Sequence, residues 1–164
     1  MPQCRGLQNS MRLAIAAIAA ACLACFLGQA SANDGNATGL VLVAATGNFG
    51  SETLTLINSY RVSRGLSPLA SNGTLQALAR QHSRYQAARN KLSHDGFRQR
   101  SARAKAAGLS VVCAENSGYN YKNAQQLFLG WRNSAAHRKN LLRPNLRYAG
   151  ISVVGAYSTF FACE

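Results

Sequence analysis

Acidic side chains are the scarcest chemistry in this chain: five Asp and Glu stand against 18 Lys and Arg, a formal charge of +13 over 164 residues. The imbalance says nothing about fold, but it points to a counterpart of opposite sign. Proline is scarce as well, at three, and the 14 glycines form no run, which excludes collagen-like and low-complexity chains. No segment recurs at a period of about 20 to 50 residues, so the chain is not a repeat protein. Apolar residues make up 48% and charged residues 14%, a balance that excludes disorder. The length suits one ordinary domain and excludes a multidomain enzyme.

Long hydrophobic runs are missing too. The apolar stretch from Leu13 to Leu27 has 15 residues, short of the roughly 20 that span a bilayer as a helix. It follows Arg5 and Arg12 and precedes Gly28-Gln29-Ala30-Ser31-Ala32, which reads as a secretory signal peptide over 1–32 cleaved after Ala32. An uncleaved anchor and lipidation at Cys25 are the alternatives, and Cys22-Leu23-Ala24-Cys25 is a poor lipobox; Met11 competes with Met1 as the start. The expected mature protein is secreted or periplasmic, has no transmembrane segment and carries +11, mostly from Arg. Arg suits phosphate and carboxylate pairing. An exported chain with scattered bases argues against nucleic acid as the partner, and leaves anionic envelope or lipid surfaces, or a merely solvated face.

Three of the five cysteines lie in the leader, so Cys113 and Cys163 remain. In an oxidising compartment they suggest one disulfide, with two buried free thiols as the alternative. Residues 33–50, rich in Gly and Asn, read as a linker or N-terminal arm, and the domain as 51–164. Ser51 is read as the cap of a first helix that Gly65 ends. Ser71 or Asn72 caps a second helix with the stripe Leu75, Leu78, Ala79, His82, Tyr85 and Ala88. Further helices are expected over 99–107, 124–133 and from Ser134 to Leu142, and strands over 110–114, 148–154 and 157–163, the last two as a hairpin. Helices first and strands last make an α+β domain.

Several segments stand out: Leu92-Ser-His94-Asp-Gly-Phe97, Cys113-Ala-Glu115-Asn116-Ser, and Gly130-Trp131-Arg-Asn-Ser134-Ala-Ala-His137-Arg138-Lys-Asn140-Leu-Leu142, followed by Tyr148-Ala-Gly150-Ile. Together with Leu56-Ile-Asn58-Ser-Tyr-Arg61, Gly65-Leu66-Ser-Pro68-Leu69 and Ala79-Arg-Gln-His82-Ser83, they resemble the bacterial branch of the CAP superfamily. These SCP domains include cysteine-rich secretory proteins, antigen 5 and plant pathogenesis-related proteins. The resemblance runs from about Glu52 to the C-terminus. It implies a three-layer α-β-α sandwich with a mainly antiparallel central sheet.

In animal members a cleft holds two His and two Glu able to bind a divalent metal. The resemblance maps the His pair to His94 and His137 and one Glu to Glu115, while Ser134 stands where the second Glu is expected. Two imidazoles and a carboxylate would suffice for zinc, with water completing the site. A hydrogen-bonded network tying loop to helix is the alternative, and an anion beside two His is expected to raise their pKa. His82 reads as a core histidine, and no Gly-x-Ser-x-Gly signature supports a Ser-His-Glu triad. The leading functional expectation is a non-enzymatic binding module whose cleft, rimmed by His94, Glu115, Ser134 and His137, takes a small ligand, lipid or divalent metal. A metal-assisted hydrolase with zinc-activated water, and a structural or adhesion domain on anionic envelope polymers, are the alternatives.

Overall fold

The computed structural model describes residues 40–164, with side chains from Phe49 onward. The expected signal peptide 1–32, its cleavage after Ala32, Cys25 and both candidate start methionines lie outside the described residues. Helix α1 (Leu40–Val62) begins 11 residues before the expected cap at Ser51, so most of the expected arm 33–50 is helical where it is described. Ser51 is an interior residue: its carbonyl accepts from Thr55 Oγ1 at 3.1 Å, as Phe49 O does from Thr53 Oγ1 at 2.8 Å. The apolar run from Leu40 to Ala45 forms the first turns of this helix.

After α1 come β1 (Ala70–Ser71) and α2 (Gly73–Arg89), whose first turn is capped by Asn72 Oδ1 accepting from Leu75 N at 3.1 Å. The helix α3 (Phe97–Ala106) stops where Gly108 takes φ +84°, a conformation costly for a side chain bearing Cβ. Strand β2 (Cys113–Tyr119) lies further along than the expected 110–114. It was masked by its polar sequence, Cys-Ala-Glu-Asn-Ser-Gly-Tyr, which stays buried because each polar group finds a partner. Helices α4 (Ala124–Asn133) and α5 (Ala135–Leu141) then lead to the hairpin β3 (Tyr148–Val154) and β4 (Tyr157–Cys163).

The sheet order is β1-β3-β4-β2, with β1 parallel to β3 and both other pairs antiparallel. Every residue of β4 is buried, because both of its faces are covered. Phe160 and Ala162 join Ile57, Leu127, Trp131 and Leu141 in a core beneath α1, α4 and α5. Phe161 and Cys163 point the other way, into a second core with Leu75, Leu78, Ala79 and Ala104 of α2 and α3. The result is a three-layer α-β-α sandwich. At Gly150, a Cβ would run into the backbone of Leu75 and Gln76, so the missing side chain is what lets α2 lie directly on β3. The Gln76 amide uses that closeness, donating to Ile151 O at 2.7 Å and accepting from Ile151 N at 2.9 Å.

Cys113 and Cys163 face each other in register across β2 and β4 and form the expected disulfide, S–S 2.04 Å. Arg61 is fully buried with no ion pair among the described residues: its guanidinium donates to the carbonyls of Ser67, Leu141, Arg143 and Leu146. It ties the end of α1 to the chain entering β3. No helix of the described residues is long and apolar enough to cross a membrane.

Candidate functional site

Strand β2 is an edge of the sheet, and its outer row of backbone carbonyls would be open to water or to another chain. The residues at odd positions face outward there, and side chains serve their carbonyls one by one. Arg143 Nη1 donates to Cys113 O at 3.3 Å, Asn140 Nδ2 to Glu115 O at 2.9 Å, and Trp131 Nε1 to Ser117 O at 3.0 Å. Asn116, on the α5 side, donates to the carbonyl of His137 at 3.1 Å and accepts from Asn140 at 2.9 Å. The motif around Trp131, His137 and Asn140 therefore closes the sheet edge.

The side chain of Glu115 turns to the opposite face, toward α2 and α3, with 2% of it exposed. A buried carboxylate needs a cation and donors, and Arg100 supplies both. Its Nε donates to Oε2 and its Nη2 to Oε1, each at 2.8 Å, while Nη1 binds Asp95 O at 2.7 Å. The pairing is the two-pronged fork that suits guanidinium and carboxylate. His94 Nδ1 lies 2.9 Å from Oε1. An ionised carboxylate only accepts, so Nδ1 carries a proton, and Nε2 makes no hydrogen bond among the described residues on a side chain that is 56% exposed.

The loop bearing His94 is held at Ser93. The Ser93 N–H donates to Gln86 Oε1 at 3.1 Å, and its carbonyl accepts from His82 Nε2 at 2.8 Å and Ser117 Oγ at 3.1 Å. Gln86 reaches on to Thr159 Oγ1 at 3.1 Å, which also accepts from Ser83. His82 is thus the core histidine the sequence indicates, acting on the loop and not as a ligand. Burial lowers its pKa, against the opposing pull of Glu115 3.5 Å away. Neutral and donating from Nε2, it leaves Nδ1 buried without a partner. Beside this relay, a pocket of about 220 Å³ is walled by His82, Tyr85, Asp95, Gln99, Arg100 and Arg103.

Of the four residues expected to rim one cleft, the structure joins His94 to Glu115. Ser134 starts α5, its backbone N–H donating to Gly130 O and its carbonyl accepting from Arg138 N, with no side-chain cap. His137 offers its carbonyl to Asn116, and no hydrogen bond joins its ring to Glu115 among the described residues. Its pKa moves opposite to the expected direction: burial lowers it first, and repulsion from the nearby His94 ring when that ring is protonated lowers it further. A zinc ion does not fit this arrangement. Both oxygens of the Glu115 carboxylate are engaged by a guanidinium, and among the described residues no three His, Cys, Asp or Glu are grouped to hold a metal. Sequence reasoning missed Arg100, Gln86 and Ser117; the demand of a buried acid for a cation was legible, but nothing marked which Arg would answer it.

The comparisons with known proteins agree with this fold. The Bacillus subtilis protein YkwD is 33% identical over 102 residues, covering 60% of this chain and 40% of that protein. A Bacillus anthracis structure, described as an extracellular protein containing a SCP domain, superposes with TM-score 0.71 at 25% identity, covering 79% of this chain and 45% of that one. A Staphylococcus aureus cysteine-rich secretory protein gives TM-score 0.63 at 25% identity, over 74% of this chain and 40% of the other. A Borrelia burgdorferi outer surface protein shares the fold, with TM-score 0.61 at 15% identity, over 68% of this chain and 88% of that chain. This chain thus spans less than half the length of the first three relatives. Residues 54–164 match the profile of CAP, the cysteine-rich secretory protein family, and the chain belongs to that family.

Proposed function

We propose that the protein is an exported, non-enzymatic binding module in which His94, oriented by Glu115 and Arg100, is the recognition group. The observation that carries this reading is the Arg100–Glu115–His94 relay, a buried ion pair spent on fixing the tautomer and direction of an exposed imidazole. In its neutral form the ring accepts a hydrogen bond at Nε2, so the ligand class we propose is a small molecule or lipid headgroup bearing a hydroxyl or amide donor. The adjacent pocket, with Tyr85, Asp95, Gln99 and Arg103 in its wall, offers further polar contacts. Export rests on the leader-like first 32 residues, the disulfide, and relatives described as extracellular or outer-surface proteins. Against a metal-assisted hydrolase, both oxygens of Glu115 are engaged by Arg100, and among the described residues no serine or cysteine hydrogen-bonds to His94 as a nucleophile would.

Chemical-shift mapping with a library of small alcohols and amides tests the reading. Hits are expected to move the His94 ring and the Asp95–Gly96 backbone, and to vanish in His94→Phe. Hits that leave this loop unmoved, or a hydrolytic turnover that depends on His94, would overturn it.

A further inference from the structure

We infer that a second pocket, formed where α1, α4 and α5 meet, binds a phosphate group carried on a small organic body. Tyr60, Arg64, Arg132, Asn133, Arg138 and Leu142 line an open concavity of about 350 Å³. Three guanidinium groups thus face one concavity, and no acid lines it. Of the four acids among the described residues, Glu115 is taken by Arg100, and Glu52, Asp95 and Glu164 lie elsewhere.

Like charges gathered without a counterion repel, so their arrangement needs support from other contacts. Here each cation is held in place without being neutralised. Arg64 sits over the Tyr60 ring at 5.3 Å and Arg132 over the Phe128 ring at 5.6 Å, and Arg138 Nη1 donates to Arg132 O at 3.0 Å. Neither Arg64 nor Arg132 makes a side-chain hydrogen bond or ion pair among the described residues. Most of the N–H donors of the three forks are therefore free for an incoming oxyanion. Arg presents two parallel donors to phosphate, and three Arg match a dianionic phosphate monoester better than a singly charged carboxylate. The volume exceeds what a bare ion fills, and the ring of Tyr60 and the side chain of Leu142 provide walls for an organic portion. This site shares no residue with the His94 relay and stands or falls independently of it.

The test is a titration of labelled protein, followed at the Arg Nε–Hε resonances, with inorganic phosphate, glycerol 3-phosphate and glycerol. Phosphatidylcholine vesicles with and without phosphatidic acid form a separate arm. Glycerol 3-phosphate is expected to shift Arg64, Arg132 and Arg138 together and glycerol to shift none, with phosphate binding more weakly than the ester. Arg64→Gln and Arg132→Gln, which break no hydrogen bond of the fold, should each weaken binding roughly tenfold, the factor for one charge-assisted hydrogen bond. Vesicle binding that requires phosphatidic acid and falls in the same variants would assign the phosphate to a lipid headgroup; no vesicle binding would assign it to a soluble ester. Phosphate binding as tightly as the ester, shifts spread over all the arginines, or affinity unchanged in both variants would overturn the proposal.

Discussion

Glu115 shows how one scarce residue organises a basic chain. Its carboxylate is buried, so the two forked bonds from Arg100 decide whether that burial is tolerable. Arg100→Met should lower stability by about 3–5 kcal/mol by leaving an uncompensated buried anion, and adding Glu115→Met should recover most of the loss. Urea denaturation of the two variants beside the parent checks both. His82 supplies a pH signature. Burial depresses its folded-state pKa below the ordinary 6.5, in the company of Glu115, Arg100 and His94, so the unfolded chain binds the proton more readily. Stability is then fully present above about pH 6.5 and declines as the pH falls toward the depressed value. His137 shifts in the same direction and adds to the decline. His82→Gln, which keeps a donor for Ser93 O, should flatten part of that slope in melting curves recorded between pH 5 and 8; an unchanged slope would assign the effect elsewhere.

The elements were legible in proportion to how local their causes are. Asn72 capping α2 and the alternation of the β3–β4 hairpin depend on neighbours in sequence, and both stand where the pattern put them. The early start of α1 and the position of β2 were not legible, because a polar strand is stabilised by Arg100, Asn140 and Trp131, which come from other elements. Arg61 gave the same difficulty: a helix-face arginine looks solvated until three distant carbonyls and that of Ser67 close around it. His94 and Glu115 were legible as partners through motif order, whereas strand alternation, which sends Glu115 and Asn116 to opposite faces, gives the α5 side a contact the motifs did not announce, Asn116 with the His137 carbonyl. Close packing of α2 on β3 is testable at Gly150. Gly150→Ala should cost roughly 1–3 kcal/mol, since the methyl group meets helix backbone that cannot rotate away. Thermal unfolding would reveal a stability equal to the parent's if the two elements can separate freely.

At the scale of the molecule, two apolar layers sandwich the sheet, and the disulfide closes a loop between residues 50 apart in sequence across β2 and β4. By the chain-entropy model, the double Cys113→Ser, Cys163→Ser variant should lose about 4 kcal/mol, read as a lower denaturation midpoint with an intact fold. The same strand pair holds Glu115 in place, so the bridge also steadies the relay that orients His94. That relay is the account's central claim. A long-range proton–nitrogen NMR spectrum of the histidine rings, recorded on metal-stripped protein before and after equimolar zinc, tests it most directly. The account predicts His94 in the Nδ1–H tautomer, unchanged by zinc. A His94 ring protonated on Nε2, or zinc shifting His94 and His137 together at equimolar ratio, would contradict it.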